Sequence, residues 1–340
     1  MKKNNKSVKS NKKPIKSKIT HKLKFVRKIS VFNGFLSEIK IFDDKRILAE
    51  GEDEIKIYDN KFNLIYKNAK HIISYLKILD NDNILLLNSK NKLINLNIKE
   101  NKSKILFDFK DEFSIFLYIN KNIIVTGGEK LDKGIKIWKL INNWTYQLAT
   151  VLKFPRDEKD DTIFAMIHYY EENNLLVTNE IKYGKINFWD LKKYKIKDSI
   201  SLNNKDDKHN IKDFCPIKND VIIFGRGDTD FFFDSGILDL VLYDFKGKKI
   251  LLKKGFNYFI TKIKYIKEKD VILMSGGSHD YQPSDLYMYD ANLNELQYIQ
   301  KINYTGISGF TYYEKNEKNV KEKYILINSQ DGEMFVYSII

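Results

Sequence analysis

The sequence has a single cysteine and very few prolines or glycines. Cys215 has no second cysteine in the chain with which to form a disulfide, which favours a reducing, intracellular compartment, either cytoplasmic or nuclear. Four prolines and 16 glycines in 340 residues exclude a low-complexity or collagen-like chain. No apolar run approaches the roughly 18 residues that cross a bilayer, so we expect no transmembrane insertion.

Acidic residues are absent from the first 28 positions. This segment carries 12 of the positive charges in a chain whose net charge is +14, which leaves a nearly neutral remainder. With so little apolar content, residues 1–21 are predicted to form a disordered basic tail. Such a tail could bind RNA or another polyanion, or a nuclear import receptor. Alternatively, it could fold over the acidic loops described below, or have no partner. Its lysines include Lys2, Lys3, Lys12, Lys13, Lys16 and Lys18.

Signals for catalysis are also missing from the sequence. The five histidines do not pair with one another, or with Cys215, at metal-ligand spacing. No phosphate-binding glycine loop and no nucleophile motif occurs. We therefore expect no enzyme activity, no catalytic residue, no metal and no cofactor, although ligands drawn from separate repeats would escape this reasoning.

The sequence does contain a recurring pattern of alternating apolar residues that ends in an aromatic residue, often followed by Asp. The aromatic positions lie 39 to 54 residues apart. A β pattern that recurs at this period is typical of a β-propeller. The seven copies are "EIKIYD" (54–59), the weaker "LINLNI" (93–98), "GIKIWK" (134–139), "KINFWD" (185–190), "DLVLYD" (239–244), "DLYMYD" (285–290) and "EMFVYS" (333–338).

A short apolar strand, such as "NILLL" or "DVILM", precedes each copy, and helical periodicity is nearly absent. The sequence thus predicts an all-β fold over residues 22–340, a seven-bladed propeller of four-stranded antiparallel blades. The seventh copy reaches Ile340 and leaves no chain for the last strand of its blade. We expect the unassigned stretch "KLKFVRKISV" (22–31) to supply that strand and to close the ring.

The repeats resemble those of the WD-repeat family of β-propellers. The similarity is carried by "VTGGEKLDKGIKIWKL" (125–140), by "LMSGGSHDYQPSDLYMYD" (273–290) and by the dipeptide Trp189-Asp190. The repeats are divergent, since Trp-Asp occurs literally once. The resemblance implies a rigid platform for other macromolecules.

Four loops are predicted on one face of the ring, over blades 4 to 6. They are "PRDEKDD" (155–161), "NNKDDKHN" (203–210), "RGDTDFFFD" (226–234) and "GGSHDYQPSD" (276–285), with net charges of −2, 0, −2 and −2. Aromatic residues surrounded by acidic ones suit a basic peptide with an apolar centre. The candidate partner-binding residues are Asp228, Asp230, Phe231, Phe233, Asp234, His279, Asp280 and Tyr281. The alternative is an ordinary variable surface, with Phe231 to Phe233 extending a strand.

Two functions follow from these observations. The first is a non-catalytic scaffold or adaptor that mediates protein-protein interactions within a complex. The alternative is a nucleic-acid-associated or ribosome-assembly factor that uses the basic N-terminal tail. A closed ring has no open sheet edge that demands a second copy, and the sequence does not specify an oligomeric state.

Overall fold

A computed structural model describes residues 21–51, 53–69, 73–110, 115–127, 134–142, 144–153, 164–170, 174–180, 185–201, 209–217, 221–228, 238–256, 259–277, 284–303, 306–317 and 320–340. Within these ranges the regular elements are all β-strands, and none of the residues is helical. The strands form seven antiparallel sheets of four strands each. The chain is therefore a seven-bladed β-propeller, as the repeat predicts.

Each blade runs outward from the central axis in chain order. The innermost strands are β2 (Leu36–Ile41), β6 (Ile73–Ile78), β10 (Ile115–Asn120), β14 (Phe164–Tyr170), β18 (His209–Pro216), β22 (Phe259–Ile266) and β26 (Ile307–Glu317). The second strands are β3 (Ile47–Gly51), β7 (Asn83–Asn88), β11 (Ile123–Gly127), β15 (Leu175–Glu180), β19 (Val221–Asp228), β23 (Val271–Gly277) and β27 (Val320–Ser329).

The third and fourth strands complete the blades. The third strands are β4 (Ile55–Tyr58), β8 (Lys92–Asn97), β12 (Ile135–Asn142), β16 (Lys185–Asp190), β20 (Leu238–Asp244), β24 (Ser284–Asp290) and β28 (Glu333–Ile339). The outermost strands are β5 (Leu64–Asn68), β9 (Lys102–Asp108), β13 (Thr145–Leu152), β17 (Lys195–Ser201), β21 (Lys249–Phe256), β25 (Glu295–Asn303) and, in blade 7, β1 (Leu23–Ser30). All seven copies of the sequence pattern are third strands.

The core consists of seven apolar clusters, each between two neighbouring blades. Alternation along a strand explains how one sheet serves two clusters. In β15, Leu176 packs against blade 3, whereas Leu175 and Val177 pack against blade 5. Second and third strands are consequently buried on both faces, and no blade could bury its apolar residues alone.

The ring closes where β1 pairs antiparallel with β28, from Leu23 opposite Ile339 to Ser30 opposite Glu333. The side-chain amide of Gln297 in blade 6 also accepts from the Leu23 N–H at 2.6 Å and donates to the Leu23 carbonyl at 3.0 Å. The turn after β27 contains Gly332, which has a φ of 77° and accepts the N–H groups of Val31 and Phe32. The expectation that the N-terminal strand completes the last blade is confirmed.

The aspartates of the repeated pattern form the turns between third and fourth strands. Asp190 Oδ1 accepts the backbone N–H groups of Lys192 and Lys193 at 2.8 and 3.1 Å. The hydrogen bond from Lys192 holds the pKa of this carboxyl below its ordinary value. Asp59, Asp244 and Asp290 accept turn N–H groups in the same way. The aromatic-Asp pair thus has a local structural role, since it joins a buried ring to a tight turn.

Candidate functional site: the central channel

A channel with a volume of about 1220 Å³ runs along the axis of the ring. All seven innermost strands line it. These strands pair on one side only, so their backbone groups on the other side need partners or water. Side chains from neighbouring blades supply partners at two of the junctions.

At the junction of blades 5 and 6, side chains of β18 accept backbone N–H groups of β22. Asp213 is fully buried, and its Oδ2 accepts the N–H of Ile263 at 2.6 Å while Oδ1 accepts that of Phe214 at 2.9 Å. Burial raises the pKa of the Asp213 carboxyl, and nearby Lys262 opposes this rise. The carboxyl is therefore a buried link between two blades.

Cys215 makes the second link of the same junction. Its Sγ accepts the N–H of Tyr265 at 3.3 Å and lies 3.3 Å from the Pro216 carbonyl, to which the thiol donates. Burial raises the pKa of the thiol to about 11. The side chain is consequently a neutral thiol at physiological pH and lacks the thiolate that a nucleophile requires.

His168 of β14 extends this group toward blade 4. Its ring meets Phe214 edge-on, with 4.6 Å between ring centroids. Burial, reinforced by Lys262 and Lys264, lowers the pKa of the imidazole to about 4. His168 is therefore neutral at physiological pH, and its pKa lies well below the range that suits a general base.

At the junction of blades 7 and 1 the polarity of the contacts is reversed. Here side chains of blade 7 donate to backbone carbonyls of β2. Ser308 donates to Leu36 at 2.6 Å, Thr311 to Ile39 at 2.7 Å and Asn328 to Ser37 at 2.8 Å. Blades 7 and 1 are thus joined at the inner edge through neutral side chains.

Glu50 of β3 is the other strongly perturbed carboxyl of the channel. It is 6% exposed. Burial and the like charge of Glu38 outweigh the attraction of Lys40 and raise its pKa to about 7. A mixture of protonated and ionised Glu50 is therefore present near neutral pH.

The partner-binding residues suggested by the sequence fall almost entirely outside the described residues. Asp228 ends β19, where its backbone pairs with that of His209. Asp230, Phe231, Phe233, Asp234, His279, Asp280 and Tyr281 lie outside the described residues, as do Lys2, Lys3, Lys12, Lys13, Lys16 and Lys18 of the basic tail. The strands that flank the four loops have the predicted order, but the acidic surface itself stays a prediction.

The sequence reasoning missed the channel residues. His168, Asp213 and Cys215 have no common spacing in the chain, because each comes from a different repeat or a different position within it. A signal was nevertheless available: in "IKDFCPI" (211–217) Asp213 directly precedes the apolar Phe214 and Cys215 of an inner strand, where a buried charge needs a specific partner.

Comparison with protein-family models finds no match for this sequence, and comparison with curated proteins finds none either. Among the described residues, no group of three or more His, Cys, Asp or Glu side chains is arranged to hold a metal ion. That part of the chain also contains no helix with the length and apolarity needed to cross a membrane.

Proposed function

We propose that this chain is a non-catalytic scaffold, a divergent member of the WD-repeat family, that presents the faces of its ring to protein partners inside the cell. The observation that carries the proposal is the closed ring itself. Seven sheets are packed face to face and the two ends of the chain are joined in one sheet, so the loops extend from a rigid frame.

The contacts of the repeated aromatic support the family resemblance. In blades 3 and 4 the indole N–H of Trp138 donates to Thr126 at 2.9 Å, and that of Trp189 donates to Thr178 at 3.0 Å. Both contacts are buried and join the third strand to the second. The same contact in two blades is what we expect of repeats with a common origin.

The protonation states in the channel favour binding over catalysis. Cys215 is held as a thiol and His168 as a neutral imidazole, and both Asp213 oxygens already accept backbone N–H groups. Groups used in acid-base or nucleophilic catalysis are instead tuned toward the operating pH. These three side chains serve the junction between blades.

The partner surface over blades 4 to 6 is tested by a matched pair of variants. Affinity-purified full-length chain, F231A/F233A and L64A/I65A are compared by quantitative mass spectrometry. Leu64 and Ile65 serve as the control, because they are exposed apolar residues, at 49% and 51%, on the outermost strand of blade 1 and away from the predicted surface. We expect F231A/F233A alone to lose partners. An unchanged partner set in a variant with normal thermal unfolding contradicts the surface.

The charge segregation of the sequence favours nucleic-acid association as a second candidate function. The first 28 residues hold 12 positive charges and no acid. Nuclease treatment before purification separates the two functions: a protein scaffold retains its partners, whereas a tail-bound RNA complex loses them. An RNA complex should also weaken steeply as salt is raised.

A further inference from the structure

A single layer of the channel wall can be identified from the pairing of innermost with second strands. In each blade one inner residue lies opposite the central apolar residue of the second strand, for example Lys40 opposite Leu48 and Lys264 opposite Leu273. The seven residues at this position all line the channel. In blade order they are Lys40, Lys77, Leu117, His168, Cys215, Lys264 and Thr311.

The lysines of this layer fall on one arc of the ring. Blades 6, 7, 1 and 2 are consecutive, and they contribute Lys264, Thr311, Lys40 and Lys77. The opposite arc, from blades 3 to 5, has neutral Leu117, His168 and Cys215. We call the first set the basic arc. A charge distribution this asymmetric within one layer favours an anion on one side of the channel.

Of the lysines of the basic arc, Lys40 forms an ion pair among the described residues, and its partner is Glu38. Among the described residues, Lys77, Lys262 and Lys264 form no ion pair.

The remaining acidic residues of the channel lie outside this layer, and of these Asp213 interacts electrostatically with Lys262 and Lys264. Both Asp213 oxygens accept backbone N–H groups, and Asp80 accepts those of Asp82 and Asn83 in a turn. Glu50 takes up a proton near neutral pH. Asp43 and Glu268 follow the ends of β2 and β22. Six acidic residues line the channel against five lysines, but the layer that contains the basic arc has three lysines and no carboxylate.

A small phosphate-bearing molecule suits this arrangement. Ammonium groups act on phosphate as point charges, and a confined site with low-dielectric walls strengthens their attraction. Tyr75 and Phe116 also line the channel, with ring centroids 4.9 Å apart, and offer an organic ring a surface near Lys77. With a volume of about 1220 Å³, the channel slightly exceeds the pockets that hold small ligands, which span about 300–1,000 Å³, and so has room for such a molecule.

We propose that the channel binds a small molecule bearing two or more phosphate groups, through Lys40, Lys77 and Lys264 of the basic arc and through the neighbouring Lys262. The site is independent of the scaffold function, since it lies inside the ring and not on its loops. Loss of the partner surface would leave it intact.

The test is isothermal titration of the full-length chain with inorganic pyrophosphate and with ATP, both without divalent metal. The channel variant is K77Q/K264Q. The control is K104Q/K197Q, which removes the same charge from exposed positions on the outermost strands β9 and β17. Every protein carries the basic tail, so any binding to the tail is common to all of them.

We expect one pyrophosphate or ATP per chain, with a Kd about tenfold weaker in K77Q/K264Q and nearly unchanged in the control. K77R/K264R should restore binding, which guards against a folding defect in the glutamine variant. Tighter binding of ATP than of pyrophosphate would identify the ligand class as an organic phosphate. Tighter binding of pyrophosphate would identify it as an inorganic phosphate. No binding of either probe, or equal weakening in channel variant and control, overturns the proposal.

Discussion

Two junctions of the ring meet the same requirement with opposite chemistry. Between blades 5 and 6, Asp213 and Cys215 accept N–H groups of the neighbouring inner strand. Between blades 7 and 1, Ser308, Thr311 and Asn328 donate to its carbonyls. Both satisfy an inner edge that has no fifth strand to pair with. The first junction uses ionisable groups, and the second uses neutral ones.

The largest effect should come from removing β1, the strand that closes blade 7. Deletion of residues 1–30 removes β1, exposes the edge of β28 and takes Leu23 from the cluster between blades 6 and 7. We expect a loss of stability on the order of 5 kcal/mol or more, comparable to that of a whole domain. Thermal unfolding followed by circular dichroism measures it. Deletion of residues 1–20 is the control, and equal melting of both truncations contradicts the closure.

The next effect concerns the 5–6 junction. Asp213→Ala leaves the N–H groups of Ile263 and Phe214 without their acceptor, at a cost of about 3 kcal/mol in unfolding free energy. Asp213→Asn keeps one acceptor oxygen and should lose less. Urea unfolding followed by tryptophan fluorescence distinguishes them. Equal stability of D213A and the unaltered chain would mean that the carboxyl does not join the blades.

Beside the 7–1 junction, Glu50 should make stability depend on pH. Its pKa of about 7 in the folded chain lies above its ordinary 4.5, so the folded state holds a proton that the unfolded chain releases. The unfolding free energy therefore falls as pH rises from about 4.5 to 7. The full pKa difference corresponds to about 3.5 kcal/mol, and we expect a measured fall of about 2 kcal/mol.

Glu50→Gln should abolish this fall and make the chain more stable than the original at pH 8. Urea unfolding at pH 5 and pH 8 measures the difference, with the exposed Glu100→Gln as the control. Parallel pH profiles for E50Q and the original chain would show that Glu50 is not the responsible group.

The smallest effect is expected at the neutral hydrogen bonds of the 7–1 junction. Thr311→Val keeps the shape of the side chain but removes the donor to the Ile39 carbonyl, which should cost about 1 kcal/mol. Thr311→Ser retains the hydroxyl and separates the hydrogen bond from the packing of the methyl group. Unlike the effect of Glu50, this loss should be the same at pH 5 and pH 8. A pH-dependent loss would show that the two junctions do not differ as described.

Much of the channel could not be predicted from the sequence, although its strands could. "KINFWD" predicts β16 because alternation and the Trp-Asp turn are local properties of six residues. The environment of His168, in contrast, is formed by residues that are distant in the sequence. The pKa of His168 is lowered by burial and further by Lys262 and Lys264, which lie more than 90 positions away and two blades around the ring. The predicted loop surface, including Phe231 and Tyr281, is still untested.

The sequence by itself determined the all-β class, the seven repeats and the role of residues 22–31 in closing the ring. It could do so because each blade is a series of hairpins between consecutive strands. The repeat length and the alternation of apolar and polar residues can therefore be recognised in short stretches of sequence. Only the tertiary structure decided which inner side chains meet. Lys40, Lys77 and Lys264 share one layer because the ring brings strands more than 180 residues apart to a common axis, and that geometry sets their electrostatic environment.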